Sequence, residues 1–481
     1  MAQPDATRRP ATGLSSAGLC QKFAAPELVV FWIRTFLPGA GRQTCFNPNP
    51  KQITKLEFPA YAWKGYVTAG TLVCLGSVSS ISTANAGDTA SCCVDLESRI
   101  VELSQVTPRS QRLEIEISGQ LHRSVLFWSD GVERNAYVVE PASGGSYFTF
   151  SGDAELPSKW EAGFMLEIEI PSNSSDELSQ SISKGAMSTA VGASNFFIGH
   201  EELGRITVGM QTEAHDHITE LDLSATDSFA SPAVADWNGN FLLRPNRRFT
   251  PGDPLIWSFV GADDIGDGDE ASVVRFDTPE ERKLQASLSW GMGGVSAAAL
   301  RFNDDWENFA VTGGAAFAYY AEDTRSPCRD SDDLSGCGTL AGSLSLKHKP
   351  TSIIASLASG LNVTRPTDVS GDNYWYYAKI AKAWSLSPLG ATTTYAEYFH
   401  GKRNVEIEVD QFRTGVPHDV EINARTNVYG IGIMQTLEEF EIDFYLALRH
   451  YEADVSVTGA NSTAISVDDF DALMTGSRIT F

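Results

Sequence analysis

The last nine residues, Leu473 to Phe481, constrain the fold more than any other stretch. Leu473, Thr475, Ser477, Ile479 and Phe481 share one face of an extended strand, and no charged side chain lies on it; Met474, Gly476, Arg478 and Thr480 share the other. Successive strand side chains point to opposite sides, so period-two patterning assigns faces directly. A soluble sheet rarely ends an apolar face on a terminal aromatic. A sheet that lives in lipid needs such a face, and it must close on itself, because lipid cannot hydrogen-bond an open edge.

The same period recurs upstream. Leu113, Ile115, Ile117, Gly119 and Leu121 alternate with Glu114, Glu116, Ser118, Gln120 and His122. Ala162, Phe164, Leu166, Ile168 and Ile170 alternate with a face carrying Glu161, Glu167 and Glu169, and Leu284, Ala286, Leu288 and Trp290 with Lys283, Gln285, Ser287 and Ser289. Leu340, Gly342, Leu344 and Leu346 follow the pattern, as do Phe440, Ile442, Phe444, Leu446 and Leu448 against Glu441, Asp443, Tyr445, Ala447 and Arg449. A secreted β-sandwich is the alternative, because its outer faces are also wet. Charges within long strands favour lipid, and so do aromatics at strand ends: Trp128, Tyr137, Tyr147, Tyr319, Tyr320, Tyr374, Tyr376, Tyr398 and Tyr451 suit interfacial girdles. Short connections such as Ser385–Gly390 contrast with long acidic ones, Gly261–Glu270 and Thr324–Gly338. At roughly 23 residues per strand and connection, residues 111–481 make about 16 strands of an all-β transmembrane antiparallel barrel.

Composition agrees. Mean hydropathy is −0.15, as expected where greasy and polar positions alternate. No run of 18 apolar residues exists to make a conventional transmembrane helix. A net charge of −25 argues against nucleic acid as a partner.

The N-terminal part reads as export and assembly signals. Lys51, Lys55 and Lys64 precede the weakly apolar Tyr66–Val78, and Ala84-Asn85-Ala86 supplies a cleavage pattern, so residues 51–86 are expected to be a signal peptide; a short buried helix is the alternative. Residues 1–50 have no periodic pattern and remain an unassigned leader or an upstream start. Without residues 1–86 the chain would hold 28 basic and 58 acidic residues, a field that attracts cations. Within 87–110, Cys93, Leu96, Ile100 and Leu103 form a heptad seam just over one repeat long. A helix that short needs a coiled-coil partner or a barrel surface to lie on.

Of seven cysteines, Cys20, Cys45 and Cys74 fall in the leader region, and the adjacent Cys92 and Cys93 are free or link subunits. Cys328 and Cys337 bracket a polar loop, and a disulfide suits them better than zinc, which has neither C-x-x-C spacing nor a nearby histidine.

Cys92–Leu103, then Leu113–Gly131, Leu203–Gln211, Val274–Pro279 and the final Phe481 together resemble alphaproteobacterial outer-membrane porins over essentially 92–481. The resemblance implies a trimeric general-diffusion porin in which an inward-folded loop follows the strand at Leu203–Gln211. It also implies partners: outer-membrane lipid and lipopolysaccharide, small hydrophilic solutes and ions, and the barrel assembly machinery that reads Phe481. No cofactor is implied.

A diffusion pore needs no nucleophile, only a constriction lined by charge. The acidic side is expected on 212–240, which lacks clean alternation and carries Glu213, Asp216, Glu220, Asp222, Asp227 and Asp236; an ordinary solvated loop is the alternative. Arg123, Arg275, Arg449 and Arg478 are the candidates for the basic side, unless each merely pairs with a neighbouring carboxylate. His215-Asp216-His217 has two ligand-type residues but no third in view, and Asp263–Glu270 misses the EF-hand pattern. Among rival functions, a barrel hydrolase would need a nucleophile beside His122, His400 or His450, and no G-x-S-x-G accompanies them. A substrate-specific channel differs only in its lining.

Overall fold

A computed structural model describes residues 113–481 except 188, 245–254, 262, 267, 280–282, 292–293, 322–336, 365–371, 410–417 and 459–462. The leader, the signal segment and the helix expected at 87–110 lie outside the described residues. Eighteen strands are assigned among those described: β1 (Leu113–Ser129), β2 (Arg134–Val139), β3 (Tyr147–Leu156), β4 (Trp160–Glu169), β5 (Ala190–His200), β6 (Gly204–Thr212), β7 (Glu270–Asp277), β8 (Leu284–Gly291) and β9 (Val295–Asp305) in the first half. The second half holds β10 (Phe309–Tyr320), β11 (Cys337–His348), β12 (Ile353–Thr364), β13 (Tyr374–Ser387), β14 (Gly390–Val409), β15 (His418–Leu437), β16 (Ile442–Thr458), β17 (Thr463–Ser466) and β18 (Phe470–Thr480).

They form one antiparallel barrel of 16 staves. β2 and β3 pair with successive halves of β1 and make one interrupted stave; β17 and β18 do the same along β16. The first and last strands close the sheet, with Gln120 opposite Thr480 and Ser129 opposite Asp471. The seam ends in a reciprocal pair of backbone bonds, Gly119 N–H to Phe481 O at 2.9 Å and Phe481 N–H to Gly119 O at 3.1 Å. Gly119 lacks a side chain where one would press on Tyr147 O and the Phe481 ring, so the terminal aromatic lies over the bare backbone of the first strand.

Connections at one end span two to six residues, whereas those at the other reach 57, between β6 and β7. The faces follow the sequence pattern. Ile117, Leu121, Phe196, Leu288, Leu300, Leu344, Ile380, Ile431, Leu446 and Ile479 all stand exposed on the outside. Tyr376, Tyr398 and Tyr429 form part of an aromatic row across β13–β15 near the long-loop end, with ring centroids 5.3 and 6.1 Å apart. The girdle expectation fails at Trp128, Tyr137, Tyr320 and Tyr451, which are buried. They occupy inward positions and pack against material that fills the lumen.

Leu446 lies midway along the lipid-facing row of β16. L446R should destabilise the barrel by about 2–4 kcal/mol, the cost of a cation near mid-bilayer. The urea midpoint of folded protein in lipid vesicles measures this.

Candidate functional site

Residues 213–269 join β6 to β7, and those of them that are described, 213–244 and most of 255–269, fold back into the barrel. The first part turns on itself, with Asp216, Ile218 and Glu220 N–H bonded to the carbonyls three residues earlier. The chain then crosses β10–β16, reaches β1 and β2, and returns through a short helix, α1 (Trp257–Gly261). Ile218 and Leu221 sit where a side chain on Gly314 would be. Phe229 stacks on Tyr445 with centroids 3.9 Å apart and planes within 5°. Phe241 lies 5.0 Å from both Trp128 and Phe470, and Trp257 packs edge-on to Tyr451. Burying a large apolar side chain contributes about 1.5–3 kcal/mol. The loop and the inner face of β12–β18 therefore make a core of their own inside the barrel.

Many of the polar contacts share one design: donors on the wall meet carbonyls on the loop. Arg301 binds Asp216 O at 2.6 Å and Ser343 binds Ile218 O at 2.6 Å. Lys379 binds Ala230 O at 2.6 Å, Arg449 binds Ser231 O at 2.7 Å, and Tyr451 binds Val234 O at 2.9 Å. On the return path Thr426 binds Val260 O at 3.0 Å and Trp375 binds Ile265 O at 2.9 Å. A buried carbonyl without a partner is costly, and the wall supplies the partners that a strand neighbour would give elsewhere.

Two buried ion pairs lie behind the loop. Lys379 Nζ is 2.8 Å from Asp222 Oδ2, and Arg449 Nε is 2.8 Å from Glu397 Oε1. Burial pushes the Asp222 carboxyl up, but Lys379, Ser224 and Ser356 outweigh this and hold it at about 2. Asp222 thus faces the wall.

The other acidic candidates spread along the loop. Glu213 is buried at its root, and Asp216 is buried with His217 Nδ1 2.8 Å from its Oδ2. Burial raises Asp216, yet the hydrogen bond and charge of His217 leave it below the usual range. Glu220 and Asp227 are half-buried next to the exposed His217 and Ala225. Burial pushes Glu220 up to about 7, with Asp227 and Asp216 adding and His217 and Lys379 opposing. Asp236 lies further on, in a 3₁₀ turn whose Asp236 carbonyl accepts a bond from Ser175.

The basic candidates do not assemble around one opening. Arg123 falls on the outward parity of β1 and reaches Glu140, at the break between β2 and β3. Arg449 points inward but is covered by the loop. Arg275 points inward and is held by Asp277 at 3.0 Å, with Thr212 also in reach. Arg478 points inward and pairs with Asp443 at 2.8 Å. Each of the four is thus matched with a carboxylate. Reasoning from sequence missed Arg301, Lys379 and Glu397. The last two carried a signal: each is a charge beside aromatics on an inward face, Tyr377-Lys379 and Tyr395-Glu397-Phe399.

His215 and His217 part company: His215 is buried 3.0 Å from Tyr320 Oη, and His217 is exposed. Among the described residues no group of three could hold a metal ion. Asp263 is a buried brace that accepts Ala235 N–H at 2.6 Å, and burial pushes it up to about 6. Asp264 pairs with Arg403 at 2.8 Å. Asp263 and the exposed Asp264 thus tie the returning loop to residue 235 and to β14. Cys337, at the start of β11, is disulfide-bonded; its expected partner Cys328 lies outside the described residues. Phe481 is exposed on the outer face.

A closed 16-stave barrel with a greasy exterior and an inward loop defines a channel-forming protein of the outer membrane. The sequence matches the family model described as Gram-negative porin over residues 112–462, and the chain belongs to that family. Similar solved structures include OmpT of Vibrio cholerae in trimer form, at 11% identity and TM-score 0.47, covering 77% of this chain and 100% of that one. The anion-selective porin from Comamonas acidovorans is 13% identical with TM-score 0.47, over 77% of this chain and 100% of its own. OmpF of Salmonella typhi, in complex with daunomycin, is 10% identical with TM-score 0.43, over 76% and 97%. No curated protein matches the chain.

Glu220 predicts a pH response. A carboxyl raised to about 7 is charged above that pH and neutral below it. The loop should lose negative charge as pH falls from 8 to 6, so any charge selectivity that Glu220 sets should move toward anions over that interval. E220Q should hold the low-pH value throughout. Reversal potentials under a KCl gradient at each pH check both statements.

Proposed function

We propose that the protein is a general-diffusion porin that passes small hydrophilic solutes and prefers cations. The observation that carries this reading is the arrangement of charge where the loop does not pack. The inward faces of β3 and β4 bear Thr149, Ser151, Asp153, Glu161, Glu167 and Glu169; Thr149 Oγ1 donates to Glu167 Oε2 at 2.6 Å, which fixes one inward register. The acidic face continues to the root of the loop, where Glu169 stands within electrostatic reach of Glu167, Asp269 and Glu270, while Arg275 is neutralised by Asp277. A path along an acidic surface raises local cation concentration and repels anions. Polar lining with few apolar side chains favours passage of hydrated solutes over capture of one ligand.

On the same reading the protein works as a homotrimer in a membrane with lipopolysaccharide, and belongs with the alphaproteobacterial porins that its motifs resemble. Phe481, exposed beside the closing seam, would be the residue offered to the barrel assembly machinery. Cys328 would be the partner of Cys337 and fasten the β10–β11 loop.

Single-channel recording of the purified protein in planar bilayers tests the proposal. Ohmic conductance in triplet steps, with a reversal potential on the cation side, is the expected result. A current that saturates with one solute and is blocked by it would favour a substrate-specific channel, and anion preference would overturn the charge argument.

A further inference from the structure

We propose that Glu397, Arg449 and Lys379 are positioning residues: they fix how far the loop stands from the wall behind it, and so the width and charge of the gap in front. The inference rests on the channel reading above. Arg449 is fully buried, its guanidinium 4.8 Å above the Trp237 ring, and it reaches Glu397 and Ser231 O together. Lys379 reaches Ala230 O, Thr226 Oγ1 and Asp222 together. The two cations thus grip consecutive carbonyls just before Pro232, where the chain changes direction. Glu397 links them. It neutralises Arg449 and accepts the Tyr377 hydroxyl at 2.5 Å, and that hydroxyl also lies 3.3 Å from Ala230 O. None of these three residues faces the open side, since all are covered by the loop. Any effect on permeation must therefore pass through the loop.

A buried cation that loses its counter-ion is strongly disfavoured and recruits water. Removal of the Glu397 charge should accordingly lift residues 230–234 off the wall into the lumen. The gap then changes shape, and the loop, freed at its bend, fluctuates.

The test compares wild type, E397Q, K379M, R449M and the E397Q/R449M double variant in planar bilayers, with heat-modifiable gel migration reporting an intact barrel. E397Q and K379M should keep the folded migration yet show altered single-channel conductance, higher open-channel noise and a shifted reversal potential. E397Q/R449M, which leaves no lone buried charge, should regain thermal resistance but not the wild-type conductance, because the Ser231 carbonyl is still released. Should E397Q fail to fold, Y451F removes only the bond to Val234 O and should raise noise in an intact barrel. Wild-type conductance, noise and selectivity in folded variants would overturn the proposal, and so would a double variant that regains conductance together with stability. A wild-type protein that does not conduct would instead overturn the channel reading.

Discussion

Closure of the sheet is the constraint on which everything else depends. In hydrocarbon each unpaired backbone group costs several kcal/mol, so an open edge along β1 or β18 would forfeit more than side-chain packing could return. The ten paired positions between Gln120–Ser129 and Asp471–Thr480 remove that edge. Closure also creates an interior, and the interior must then be lined, filled or both. Here it is both, and the division is unequal: β12–β18 face a packed core, whereas β3 and β4 face charge.

The inner core explains why the wall reads as it does. A strand with lipid on one side and water on the other alternates cleanly, as Leu113–Leu121 does. A strand with lipid on one side and a protein core on the other is mostly apolar on both faces, apart from a charge that grips the core. β13 is of the second kind: Tyr374, Tyr376 and Ile380 face outward, and Trp375, Tyr377 and Ala381 face the loop.

The architecture was therefore legible where water or lipid alone sets the pattern. The period-two faces of β1, β8, β11 and β16, the alternation of short and long connections and the stave number all follow from hydrogen bonding and partition between solvents. The acidic loop was legible too, because 212–240 breaks the period. What the sequence did not disclose is long-range pairing. Lys379 and Asp222 are 157 residues apart, and nothing local in either couples them. Arg449 has the parity of a lumen residue and would be one had Ser231 and Trp237 not been laid over it. Arg123 has the parity of a lipid-facing residue, and its charge is tolerable because the stave beside it is broken and Glu140 stands in the break. Interfacial aromatics at strand ends and aromatics of an internal core share one composition, so Trp128 and Tyr451 could not be told from Tyr376 by position alone.

The choice of backbone carbonyls as the wall's main targets has an evolutionary side. Every residue type presents a carbonyl, so Arg301, Ser343, Lys379, Arg449, Tyr451, Thr426 and Trp375 hold the loop with little regard to which side chains it bears at the gripped positions. Side chains of the loop that stand exposed, such as Ala225, take correspondingly little part in the anchoring. A lineage built on this frame can exchange its filter one residue at a time while the scaffold that carries it stays put.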